Sequence, residues 1–132
     1  YASKDNHVLA HLWKIMLNET AKIPAFCNFF PELAHNEMQG IVPDLSETAE
    51  HLKVILLKDA EDDSRVSRRM EAFEELAPSR SISVFPVQLP SGKVGKLMHT
   101  IASASATAST IAELHGVDPQ DIGFIEEFKK SV

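Results

Sequence analysis

One cysteine, Cys27, stands among 132 residues, so no internal disulfide framework exists and the fold must hold by packing. Such sparing use suits a reducing compartment, and the cytoplasm is the expected setting. No apolar run is long enough to span a bilayer. Positive charge is scarce: 13 Lys and Arg face 19 Asp and Glu, a formal net charge of −6. Binding to nucleic acid or to an anionic membrane by bulk charge is therefore not expected. Neither a P-loop nor G-x-G-x-x-G nor C-x-x-C occurs. An initiator methionine is also missing, and Tyr1-Ala2-Ser3 runs almost directly into a helix pattern, so a piece of a longer protein is expected.

What is present is an ordinary globular composition, 44% hydrophobic and 24% charged, at a length that suits one domain with one buried core. Leu9, Leu12, Trp13, Met16 and Leu17 recur at helical spacing, with Ser3 or Asp5 as cap, and predict a helix running to about Lys22. Pro24 suits the first turn of a short second helix that Phe30-Pro31 would end. Residues Pro31 to Gly40 read as another short helix or an ordered loop, followed by a polar stretch with Pro43.

Val54-Ile55-Leu56-Leu57 is an uninterrupted apolar run between lysines and suits a strand covered on both faces. Val66, Met70, Phe73 and Ala77 predict an amphipathic helix stopped by Pro78. Ile82, Val84, Phe85 and Val87 form a second strand, and Pro86 puts that strand near its end or at an edge. A long helix follows from about Lys93 to His115, with Ser91 as cap and Gly116 as stop. Its middle, Ala102 to Thr110, contains only Ala, Ser and Thr, which suits close packing inside the domain or across a subunit interface. Asp118-Pro119 reads as the start of a last helix whose Ile122, Ile125 and Phe128 would lie on the body. Helices alternating with strands imply an α/β fold with a parallel sheet flanked by helices. Two strands are too few for such a sheet, and Tyr1-Ala2-Ser3 reads as the tail of a truncated third.

Few residues stand out for chemistry. His7 and His11 have the i, i+4 spacing of a metal pair, but no third ligand is evident and two surface histidines are the simpler reading. Cys27 reads as a small buried hydrophobe. Glu19 falls at the edge of an apolar helix face, where burial would raise its pKa. Lys129 follows Ile125 by four residues on the inward side of the last helix, while Lys130 points away with Glu126 and Glu127. His35 lies between Pro31 and Pro43. Periodicity alone leaves all three as polar groups at the margin of the core.

A longer pattern gives them roles. Leu12-Trp13-Lys14-Ile15-Met16-Leu17-Asn18-Glu19-Thr20-Ala21-Lys22-Ile23-Pro24-Ala25 resembles the R-W-K-x-Q-x-N-E-N-A-K-x-P-A signature of bifunctional phosphoglucose/phosphomannose isomerases. Pro31-Glu32-Leu33-Ala34-His35-Asn36-Glu37 is similar to that family's P-E-L-x-H-N-E motif, and Gly116-Val117-Asp118-Pro119 with Ile125 to Lys129 resembles its tail. The resemblance covers residues 1–132 as a single C-terminal sugar-isomerase (SIS) lobe of flavodoxin-like type. It implies that Glu19 is the base moving a proton between C1 and C2 of the sugar through a cis-enediol. It also implies that His35 opens the sugar ring from the neighbouring subunit of a homodimer, and that Lys129 assists. Such acid–base chemistry needs no metal and no cofactor. The expected substrates are glucose 6-phosphate, mannose 6-phosphate and fructose 6-phosphate, in glycolysis and gluconeogenesis.

The pattern is not complete. Leu12, Met16 and Thr20 stand where the family has Arg, Gln and Asn. The family's Ser/Thr phosphate loops belong to a first lobe. Ser91-Gly92-Lys93 offers an anion site at a helix start or a plain capping serine. Three readings therefore stand: the catalytic lobe of an isomerase, a phosphosugar-binding regulatory domain, and a dimerisation lobe.

Overall fold

Parallel pairing organises the chain. A computed structural model describes residues 1–40 and 51–132, and Pro43 falls outside them. β3 (Lys53–Lys58) pairs in parallel with β4 (Ser83–Gln88), Val54 opposite Val84 and Leu56 opposite Pro86. β1 (Ala2–Ser3) pairs in parallel with β2 (Phe29–Phe30). Tyr1 joins these ladders: its nitrogen donates to the Ile55 carbonyl at 2.7 Å, and its carbonyl accepts from the Leu57 N–H at 2.9 Å. The two parallel pairs are separate two-stranded sheets, and these Tyr1 bonds set β1 beside β3, so the short strand expected at the chain start is β1 (Ala2–Ser3). Pro86 costs β4 nothing, because among the described residues β4 is an edge and its free side needs no donor.

Side chains alternate across the sheet and build two cores. Val54 and Leu56 join Phe30, Leu33, Met70, Phe73, Ala77 and Ile82 under α3 (Ser64–Leu76). Leu57 joins Ala2, Ala10, Trp13, Leu89 and Ala104 on the opposite face, under α1 (His7–Glu19) and α4 (Lys93–His115). The Ala/Ser/Thr stretch of α4 supplies Ala104 and Ala108 to an inward stripe that Thr100 and Ala112 extend on either side, and α4 packs against α1 within the chain. Val94, Leu97, Met98 and Ile101 of α4 are exposed.

Several local expectations are overturned. α1 ends at Glu19, not Lys22, because Lys22 has φ +59° and turns the chain back. Ala21 to Asn28 forms no helix; it climbs along α1, with the Ala25 N–H donating to Asn18 Oδ1 at 2.7 Å. Neither Ser3 nor Asp5 caps α1. The N-cap is Asn6, whose side chain is engaged elsewhere. Gly92, at φ +79°, is the N-cap of α4 in place of Ser91. Before α2 (Glu37–Gly40), Glu32–His35 forms a 3-10 turn. The last helix, α5 (Gly123–Lys130), begins four residues after Pro119. Ile122, Ile125 and Phe128 do not lie on the body: they are 37%, 42% and 61% exposed, because nothing in the described residues covers that face.

Candidate functional site

With parallel strands, α1 and α4 start at the carboxyl edge of the sheet and end at its amino edge. The two edges differ sharply. Parallel sheets usually take ligands outside their carboxyl edge. Here that edge is filled. Lys96 Nζ lies 2.5 Å from Asp59 Oδ2 and 2.6 Å from Glu61 Oε2. Asn6 Nδ2 donates to Asp59 Oδ2 at 2.8 Å, to Ser3 Oγ at 3.1 Å and to Asp62 Oδ1 at 3.2 Å. Burial alone would disfavour the Asp59 carboxylate, but bonds from Lys96, the Glu61 amide and Asn6 hold it below the usual range. Burial pushes Asp62 up, and the Asp59 charge beside it adds to the rise.

The amino edge is open. A cleft of about 470 Å³ lies between the end of α1 and the tail after α4, lined by Asn18, Glu19, Lys22, Ile23 and Pro24 on one side and by Val117, Asp118 and Asp121 to Ile125 on the other. Glu19 is exposed on this wall. Met16, at a polar position of the motif, packs toward α4 and lies 3.8 Å from Ser105 Oγ. Lys129 is exposed on α5, one turn beyond Ile125, and not on an inward face. His35 ends the turn after β2, is exposed, and lines neither this cleft nor the second one. Its neighbourhood is pinned by Glu37, which accepts from Asn28 Nδ2 at 2.7 Å. Burial and the bond to Glu37 push the Tyr1 phenol well above its usual range.

The second cleft, about 300 Å³, is lined by His7, Val8, His11, Cys27, Asn28 and Phe29. Cys27 is half-buried there, Sγ 3.8 Å from His11 Nδ1, and packs against the second core without being fully inside it. Among the described residues no group of metal-ligating side chains is placed to hold an ion, and no helix is long and apolar enough to cross a membrane.

Residues 1–132 match the family model described as the bacterial phospho-glucose isomerase C-terminal SIS domain. The chain belongs to this family. A bifunctional phosphoglucose/phosphomannose isomerase of Thermoplasma volcanium is 34% identical over 132 residues, which are 100% of this chain and 41% of that protein. Its counterpart in Thermoplasma acidophilum is 26% identical over the same span and share. That of Aquifex aeolicus is 28% identical over 94% of this chain and 38% of its own length. The chain therefore spans about two-fifths of these relatives. The two parallel strand pairs with helices on their faces are consistent with an SIS lobe. Sequence reasoning gave no role to Lys22, although it lies inside the quoted motif, or to the Asn6–Asp59–Lys96 cluster, for which the only signal was an aspartate directly after a strand.

Proposed function

We propose that this chain is the C-terminal lobe of an aldose–ketose isomerase that interconverts glucose 6-phosphate and mannose 6-phosphate with fructose 6-phosphate. The observation that carries the reading is Glu19 on the wall of an open cleft, within a chain matched throughout by an isomerase domain family. Glu19 takes the proton from C2 of the aldose and returns it to C1 of the enediol. One carboxylate serves both carbons because the proton stays on one face of the sugar. His35 and Lys129 assist ring opening. His35 is supplied by the neighbouring subunit of a cytoplasmic homodimer, which fits its position away from the Glu19 cleft. Glucose and mannose phosphates differ only at C2 and converge on one enediol, but their C2 hydrogens lie on opposite faces, so a single base serves both only when the sugar turns about C2–C3 to present the other face. A second lobe of the parent protein holds the phosphate.

The test is Glu19→Gln in the full-length protein. The amide is nearly isosteric but cannot accept the proton, so turnover should fall on the order of 10²- to 10⁴-fold while sugar-phosphate binding survives. Unchanged turnover would return Glu19 to a structural role. The packing of Met16 at a polar motif position favours a second reading, a phosphosugar-binding regulatory domain. Proton exchange at C1 of fructose 6-phosphate separates the two, since a sensor exchanges none.

A further inference from the structure

Lys22 is placed unusually in both backbone and side chain. Its φ is +59°, in a region that costs a non-glycine residue on the order of 1 kcal/mol or more. Its ammonium meets carbonyls rather than a carboxylate: it donates to the Glu19 carbonyl at 2.5 Å, to the Pro119 carbonyl at 3.4 Å and to the Asp121 carbonyl. The first belongs to the last residue of α1, and the other two belong to the tail, almost a hundred residues further on. Among the described residues, no other hydrogen bond ties positions 118–132 to the rest of the chain. Apolar packing does little to replace it, because every residue of α5 is exposed.

One side chain thus spans the cleft wall and fixes the tail to the end of α1. Glu19 stands on one side of that link. On the other, the tail leads from Asp121 directly into α5, whose Phe124 and Ile125 line the cleft and whose last turn carries Lys129. We infer that Lys22 is a positioning residue: by docking residues 119–121 onto the end of α1, it sets where the Lys129-bearing helix stands relative to Glu19. The inference rests on the isomerase reading of Glu19. A side chain without the ammonium leaves three carbonyls to water and releases the tail. The left-handed turn itself is kept, because the chain must still reverse after α1.

The experiment compares Lys22→Met and Lys22→Arg in the full-length protein, with amide hydrogen exchange and steady-state kinetics on fructose 6-phosphate. Lys22→Met should raise exchange across 118–130 and lower kcat about 10- to 100-fold, the scale of an ångström-level misplacement of a reacting group. KM should move less than about threefold, since the phosphate is held elsewhere and binding is not what Lys22 provides. Lys22→Arg, which keeps the charge and the reach, should recover most of both. Should Lys22→Met fail to fold, Lys22→Gln gives the same comparison with a polar tip. Unchanged exchange in 118–130, unchanged kcat, or a loss confined to KM would each overturn the inference. An inactive wild-type parent would instead sink the isomerase reading, and the exchange data would still decide whether Lys22 docks the tail.

Discussion

At the scale of single residues, charge at the carboxyl edge makes a pH-dependent contribution whose sign can be worked out. Asp59 is held below the ordinary aspartate value of about 3.9, so its contribution is fully present above that value and is lost as pH falls through the lower one. Lys96, bonded to Asp59 and Glu61, is raised, so its contribution is complete below its ordinary value and is lost only as pH rises through the higher one. Asp62 runs the other way. Its folded value is raised, so the fold is favoured while it is protonated, and that advantage is lost as pH rises past the unfolded value. Asp62→Asn keeps an oxygen for the Asn6 amide and deletes the like charge beside Asp59. The variant should melt above wild type at pH 7 and lose that advantage at pH 3, read by thermal unfolding at both. An equal gain at the two pH values would show that charge is not the cause.

At the scale of elements, α1 and α4 depend on small side chains. Ala104 and Ala108 are fully buried where α4 faces α1. Ala104→Leu forces extra methyl groups into that contact and should destabilise by about 1–3 kcal/mol. Denaturant unfolding would measure it, and a change below about 0.5 kcal/mol would mean that α4 has room to shift. The stripe was legible in sequence because only Ala, Ser and Thr occur there. β3 was legible for a related reason: Val54 to Leu57 serve cores on both faces, so the apolar run has no polar break. β2 was hidden, because Phe29-Phe30 is short and its pairing with Ala2-Ser3 is a long-range event. Pro24 suggested a helix, but the left-handed turn at Lys22 sends that segment back along α1. The start of α5 slipped because Asp118 Oδ1 and Asp121 Oδ1 accept from the Gln120 and Gly123 amides, building turns where a helix start was expected. Glu19, His35 and Lys129 were readable as a motif. Their separation on three elements, and the exposure of all three, depend on tertiary placement that periodicity does not encode.

At the scale of the whole molecule, the separation of His35 from the Glu19 cleft makes a test of subunit sharing possible. If the full-length protein is the proposed dimer with shared sites, Glu19→Gln and His35→Ala homodimers should each be slow. Mixed under conditions that exchange subunits, half of the dimers become heterodimers, each with one intact site. Activity should then recover to about a quarter of normal under two-fold symmetry. No recovery after verified exchange, with both variants folded and His35→Ala alone slow, would place both residues in one chain's site. The direction of the helices also constrains how a substrate can sit. α1 and α4 both bring their C-terminal ends to the open cleft, at Glu19 and at His115–Gly116. Each such end carries roughly half a negative charge, which the Lys22 ammonium offsets at α1, while the Glu19, Asp118 and Asp121 side chains in the cleft lining add negative charge. A phosphate monoester near neutral pH carries about −1.5 to −2, so this mouth repels it and tolerates an uncharged carbon chain. On the isomerase reading, a sugar phosphate should therefore enter with its reducing end first, C1 and C2 toward Glu19, and its phosphate directed away from both helix ends.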